Sequence, residues 1–317
     1  SDNNNFPDEL VESAGVVIDN SSGAISALIG GREHQAMRIY NRATAYRQPG
    51  SCIKPLLVYA PALESGKYTA ATVLDDYRKD FNGYTPTNFR DVYYGRVTLR
   101  RALALSLNVP AVKILLDNGI EYSKSFVSKL NMQFDESDVN AAIALGGMKY
   151  GASPLEMASA YSVFANDGVY KPYWCIEKIC SFSGEVLYEH KSEERRVFSE
   201  GTAFIITDIM RDVAQSTSLR QYNLDIACKT GTVGYNKIGY SDAWCCGITK
   251  NYSVSVWMGY DKTTEETFLS EDITGSTYPA MGLSLTFDHR ALDGAPAAKF
   301  LKALCDNLTN FNLLLAK

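Results

Sequence analysis

A chain of 317 residues with 46% hydrophobic content and a mean hydropathy of -0.15 has a globular composition, long enough for one large domain or two small ones. A formal net charge of -5 with mixed signs argues against nucleic acid as the main partner, and no basic run suits an anionic membrane surface. No apolar stretch approaches the length of a membrane span, and Ser1 to Leu10 is polar rather than signal-like.

In chain order, residues 14–30 read as a hairpin, with strands 15–19 and 24–30 around a turn at Asn20-Ser21-Ser22-Gly23. A polar approach over 38–46 leads to Arg47-Gln48-Pro49-Gly50-Ser51-Cys52-Ile53-Lys54-Pro55, a Pro-Gly break that delivers a serine to the start of an apolar run. The helix expected from Ser51 ends near Glu64, with Pro61 as a candidate kink. Ser51 then lies at or beside a helix N-terminus, where free N–H groups and the dipole favour developing negative charge. Lys54 shares its helix face, and Pro55 is tolerable because it falls in the first turn. A serine needs a base to become a good nucleophile, and a partly buried lysine of lowered pKa can act as one. Taken alone, the pair reads more simply as an N-cap serine followed by a surface lysine.

Residues 75–95 are loop-like and aromatic, with Tyr77, Phe81, Tyr84, Phe89, Tyr93 and Tyr94. Such a run can line a binding groove, but more commonly it packs a long loop onto a core. Helices follow around 98–106, 110–118 and 122–130, the middle one stopped by Asn118-Gly119. Ser106-Leu107-Asn108 forms the exit of the first and places a hydroxyl and a carboxamide on a loop, although helix-stop chemistry explains the same residues. A small-residue helix spans 153–166, a hairpin excursion from the main sheet spans 170–190, and another helix covers 201–214. The strand 224–232 carries Lys229-Thr230-Gly231-Thr232, a pattern suited to an edge strand that approaches a ligand's backbone and carboxylate closely. Strands at 241–249 and 252–260 complete an antiparallel meander.

The seven cysteines, at 52, 175, 180, 228, 245, 246 and 305, show no paired C-x-x-C spacing; they read as buried free thiols acting as small apolar residues, with a disulfide or metal role as the alternative. The histidines His34, His190 and His289 are scattered, which disfavours a Ser-His-Asp centre on Ser51.

S-x-x-K, S-D-N and K-T-G are the signature of penicillin-binding proteins and class A β-lactamases. This chain carries Ser51-Cys52-Ile53-Lys54, Ser106-Leu107-Asn108 and Lys229-Thr230-Gly231-Thr232. It resembles the transpeptidase domain of class A penicillin-binding proteins over about residues 13–281. Tyr40-Asn41-Arg42-Ala43-Thr44, Pro154-Leu155-Glu156-Met157-Ala158, Asp242-Ala243-Trp244 and Val256-Trp257-Met258-Gly259-Tyr260 extend the likeness.

The resemblance implies an α/β (α+β) fold, a five-stranded antiparallel sheet flanked by helices with a mainly helical subdomain. It implies peptidoglycan D,D-transpeptidation through a Ser51 acyl-enzyme, with Lys54 as general base, Ser106 as proton relay and Asn108 holding Lys54 and the substrate amide. Lys229, Thr230, Gly231 and Thr232 would form the carboxylate-binding strand, and the N–H groups of Ser51 and Thr232 the oxyanion hole. The implied partners are stem peptides and β-lactam antibiotics, with no cofactor. The implied location is the extracytoplasmic face of a bacterial membrane, reached through an anchor and a glycosyltransferase domain that would normally precede this domain. Leu107 stands where many relatives have a polar residue. Within the same class a serine β-lactamase would need a deacylating glutamate, and Glu156 reads as structural instead. A non-catalytic β-lactam sensor or scaffold would keep the same motifs.

Residues 1–12 read as a linker remnant, 13–281 as the transpeptidase domain and 282–317 as an atypical strand-helix segment, a candidate fusion. Asp288-His289-Arg290-Ala291-Leu292-Asp293-Gly294 resembles the end of dihydrolipoyl acyltransferases. There His289 would be the base that activates a coenzyme A thiol and Asp293 its support. Nothing upstream resembles the rest of that family's channel. The tail helix, with Phe300, Leu301, Leu304 and Leu308 on one face, would serve to cover the sheet.

Overall fold

The computed structural model describes residues 11–32, 40–217, 219–220 and 224–270. Strand β1 (Glu12–Asp19) begins inside the stretch read as a linker and returns through an Asp19-centred turn into β2 (Ile25–Ile29). A short 3-10 turn at Arg42–Thr44 leads to the serine. The 50–64 segment is helical to Glu64 as the sequence predicts, but its pitch changes along its length. It runs as a 3-10 turn (Gly50–Ile53), a π segment (Pro55–Tyr59) and the helix α1 (Ala60–Glu64). The physical reason is proline: Pro61 has no N–H to offer Leu57, while the Ala60 N–H reaches back five residues to the Pro55 carbonyl.

The aromatic stretch is not wholly loop. Strand β3 (Val73–Asp76) pairs antiparallel with β4 (Gly95–Thr98) and brackets the connection 77–94. Helix α2 (Leu99–Ala104) starts at a Thr98 cap, α3 (Asn108–Asn118) stops at Gly119 with φ +96°, and α4 (Ile120–Ser128) follows. Asn108 is therefore the first residue of a helix rather than part of a loop, which corrects the sequence reading. Pro110 falls in that helix's first turn, where a missing N–H costs nothing.

Helix α5 (Pro154–Ala165) opens with a capping box in which Ser153 and Glu156 satisfy each other's backbone N–H groups. It is apolar almost all round and correspondingly buried, packing on the central sheet. The two-residue strands β5 (Val169–Tyr170) and β8 (Arg195–Arg196) pair with each other and frame a separate hairpin, β6 (Lys178–Cys180) and β7 (Val186–Glu189). Cys175 and Cys180 are exposed there, contrary to the expectation that the thiols are buried. Cys52, Cys228, Cys245 and Cys246 are buried and free. Helix α6 (Glu200–Gln215) then leads to β9 (Ala227–Tyr235), β10 (Gly239–Ile248) and β11 (Tyr252–Gly259).

The main sheet is five-stranded and antiparallel, in the order β2-β1-β11-β10-β9. Pairing β1 with β11, Val16 opposite Ser255, closes the sheet across most of the chain's length. The core lies between this sheet, α5 and the 50–64 segment, with Trp257, Tyr59, Tyr161, Leu56 and Leu57 fully buried. Strand β9, which carries Lys229 to Thr232, is a sheet edge as predicted. No helix among the described residues is long and apolar enough to cross a membrane. The tail motif with His289 and Asp293, and the tail helix, lie outside the described residues.

Ser153→Ala removes the cap that starts α5. Urea unfolding is expected to show a loss of about 1 kcal/mol, and an unchanged midpoint would mean that the box contributes nothing.

Candidate active site

The serine is placed by close backbone approach. Gly50 has φ +53°, and a Cβ there would lie 2.6 Å from the Thr232 carbonyl oxygen. Gly231 faces it: a Cβ at that position would sit 2.5 Å from the Pro49 oxygen. Only glycines let the edge strand and the serine turn touch backbone to backbone. The turn is tied down by the Trp244 indole N–H on the Gln48 carbonyl at 2.8 Å and by the Tyr161 hydroxyl on the Cys52 carbonyl at 2.6 Å. Upstream, the Arg42 guanidinium forks onto Asp261, with Nε at 2.6 Å, and Arg47 stacks over Trp257 at 4.8 Å.

Lys54 is completely buried, which removes the surface-lysine reading. Its Nζ donates to the Ser106 carbonyl at 2.7 Å, the Leu107 carbonyl at 3.2 Å and Asn108 Oδ1 at 2.6 Å, with Ser106 Oγ at 3.4 Å. The exit between α2 and α3 makes this cradle. Ser106 takes φ +57°, a left-handed conformation that turns successive carbonyls inward, and Leu107, 3% exposed, anchors the bend in the core. The middle position of that motif faces the core, so its apolar character follows from packing.

Burial, and then the charge of nearby Lys229, push the Lys54 pKa well below its ordinary value. The four oxygens around Nζ favour the charged form, while burial and Lys229 oppose it, so the pocket holds the amine in place and eases its loss of a proton. Lys229 is 1% exposed and donates to the Thr230 carbonyl at 2.8 Å, and burial lowers its pKa too. Burial raises the Cys52 thiol, so the group beside Ser51 is an inert packing residue.

These residues surround one cavity of about 490 Å³. Ser51, Ser106, Asn108, Thr230, Gly231 and Thr232 all line it, and Lys54 and Lys229 stand behind that lining. The Ser51 hydroxyl makes no hydrogen bond among the described residues. Tyr84 and Phe89 line the cavity, so part of the aromatic stretch does form the groove, while Phe81 packs on the core. Asn88 and Thr87 also reach the site, and sequence reasoning missed both. The run of tyrosines and phenylalanines around them was the available signal. Glu156 lies elsewhere: besides its cap it accepts the Tyr46 hydroxyl at 3.0 Å. Chemically, the arrangement offers a free hydroxyl, a desolvated amine, a second hydroxyl and a cationic edge strand, the parts needed for acyl transfer.

Comparison with known proteins gives the same picture. The family model for the penicillin-binding protein transpeptidase domain matches residues 13–278. Penicillin-binding protein 1F of Bacillus subtilis is 38% identical over 276 residues, 86% of this chain and 38% of that protein. Penicillin-binding protein 1A of Clostridium botulinum is 38% identical over 271 residues, 80% of this chain and 32% of that protein. The chain thus spans under two-fifths of the length of these curated relatives. The solved structure of PonA1 from Mycobacterium tuberculosis in complex with penicillin V superposes with a TM-score of 0.71 at 26% identity, covering 84% of this chain and 72% of that one. A second model, the catalytic domain of 2-oxoacid dehydrogenase acyltransferases, matches only residues 255–316. Its described portion includes the end of β11, which pairs with β1 and β10 inside the main sheet.

Titration of the protein carrying ¹³C-labelled lysine, followed by NMR, is expected to show Lys54 losing its proton well below the ordinary lysine value. Lys229→Met removes a nearby positive charge, so the Lys54 pKa must rise. A Lys54 signal titrating with the surface lysines, or falling in that variant, would refute this electrostatic account.

Proposed function

The chain belongs to the penicillin-binding protein transpeptidase domain family, and from that membership we propose that it is a serine D,D-transpeptidase that cross-links peptidoglycan stem peptides. The observation that carries the reading is the convergence on one buried ammonium, Lys54, of the Ser106 carbonyl and the Asn108 carboxamide, beside a cavity that exposes Ser51.

In the proposed reaction, Lys54 first releases its extra proton to solvent and then, as a neutral amine, takes the Ser51 proton as Oγ attacks the penultimate D-alanine carbonyl of the donor stem. The N–H groups of Ser51 and Thr232 hold the resulting oxyanion. Ser106 relays a proton to the leaving amine, the C–N bond breaks and D-alanine departs. An amine from a second stem then attacks the ester, restores the amide and returns the proton to the Ser51 oxygen. Asn108 orients Lys54 and the substrate amide, while Lys229, Thr230 and Thr232 hold the terminal carboxylate, with Gly231 admitting the backbone approach. The β-lactam antibiotics are partners by the same chemistry, because their strained amide acylates the same oxygen.

Two observations favour transfer over β-lactam hydrolysis. No carboxylate lines the cavity among the described residues, and Glu156 is committed to its helix cap and to Tyr46. The domain proposed for this work spans residues 13–281. The proposed setting is the extracytoplasmic face of the membrane, with the whole protein anchored through a segment outside this sequence. No step is assigned to His289 or Asp293.

Incubation with benzylpenicillin is expected to add one drug mass to the protein, mapped to the Ser51 peptide and absent in Ser51→Ala. Lys54→Ala should slow acylation by about 10²-fold or more. A folded protein that leaves the drug intact and unattached would sink the proposal.

A further inference from the structure

A pair of residues outside all three motifs holds the second motif in place. Asp76 ends β3 with its side chain fully buried. One carboxylate oxygen accepts Asn88 Nδ2 at 2.7 Å and the other accepts the Tyr94 N–H at 2.9 Å. Asn88 Nδ2 also donates to the Val92 carbonyl at 3.0 Å, and Asn88 Oδ1 accepts the Asn108 N–H at 2.8 Å. Asn108 donates Nδ2 to the Thr87 carbonyl at 2.6 Å and accepts the Lys54 ammonium on Oδ1 at 2.6 Å.

The direction of every link is forced. Carboxylates and carbonyls only accept, so Asp76 and the Val92 carbonyl compel Asn88 to turn its NH₂ toward them. Its oxygen is thereby left for Asn108. The Thr87 carbonyl likewise compels Asn108 to present its NH₂ there and its oxygen to Lys54. Both the backbone and the carboxamide of Asn108 are thus fixed by two consecutive residues of one loop, and that loop is oriented by a single buried anion.

Burying an anion to anchor a loop is costly. No basic side chain pairs with Asp76 among the described residues, so its charge is met there by N–H donors. An apolar side chain would pin the loop without that desolvation penalty. The charge is also felt next to the nucleophile's own helix: after burial, Asp76 is the cause that raises the pKa of the fully buried Tyr59 hydroxyl. The arrangement makes sense if amide orientation is what must be secured.

We infer that Asp76 and Asn88 are positioning residues for the chemistry at Ser51, acting through Asn108 to fix the amine of Lys54; the inference rests on the acyl-transfer reading of this site. Neither polar group of Asn88 is free for substrate in this network, although the residue lines the cavity.

The test separates the initial affinity for benzylpenicillin from the acylation rate constant, each normalised to folded protein. In Asp76→Asn the new NH₂ faces that of Asn88 and turns the amide over, so the acylation constant is expected to fall about 10- to 100-fold. Initial affinity should stay within about threefold, because ground-state binding is not the target. An unchanged acylation constant in the single variant overturns the inference. If Asp76→Asn fails to fold, Asn88→Ala takes its place in the rate measurement, with the same expected loss. A crystal structure of Asn88→Ala decides independently of acylation: the Asn108 carboxamide displaced from Lys54 supports the inference, and an unmoved one overturns it. If the parent protein is never acylated, the functional reading alone fails and the crystallographic arm still decides the positioning.

Discussion

The structure depends on the burial of one cation. Removing an ammonium from water carries an effective penalty of several kcal/mol, and Lys54 is fully buried with Lys229 as a like-charged neighbour. The fold meets that penalty with oxygens: two carbonyls and a carboxamide brought onto Nζ from the bend between α2 and α3. That bend stores strain of its own, since a left-handed residue other than glycine, Ser106, costs on the order of 1–3 kcal/mol. Leu107 in the core and the Asp76–Asn88 couple over-determine it. A base held this way is basic enough to accept a proton and poor at keeping one.

The second constraint is backbone proximity. The serine turn and the edge strand meet without intervening side chains, so the Ser51 hydroxyl and the threonines share one cavity, with the Lys54 amine behind its lining, although they lie far apart in the chain. Strand β9 is an edge of the sheet, and Thr230, Gly231 and Thr232 on it line the cavity. The sheet protects its other members by pairing the two ends of the fold, β1 with β11.

Much of this was legible in the sequence because it is written in short, local patterns. The Pro-Gly break announced the serine turn, Asn118-Gly119 announced the end of α3, and the small-residue run over 153–166 announced α5. What escaped was set by longer-range packing. Asn108 read as a loop residue because the pattern around Ser106 looks like a helix exit; that it also opens the next helix depends on Asn88, twenty positions upstream, accepting its N–H. The exposure of Cys175 and Cys180 escaped because composition favours buried thiols, and only the projection of the β6–β7 hairpin away from the main sheet shows otherwise. Asn88 carried no signature of its own among the aromatics, whose bulk drew attention to packing.

The π segment at Pro55–Tyr59 bears on how this protein can vary. A π turn is equivalent to one extra residue held within a helix, and it lies between the core-packed α1 and the turn that carries Ser51. Deleting one residue there would remove the extra residue and restore regular pitch with the helix on either side near its present orientation, whereas a deletion in the regular turn of α1 would, at 3.6 residues per turn, swing everything upstream by roughly 100° about the helix axis. That second change would carry Ser51 out of the cavity and Lys54 off its carbonyl cradle together, with every motif residue still present in the sequence. Within this helix the π segment is therefore the place where one residue can be lost without turning the site, and α1 is not. The exposed hairpin, which supports no part of the site, is where length is free to drift.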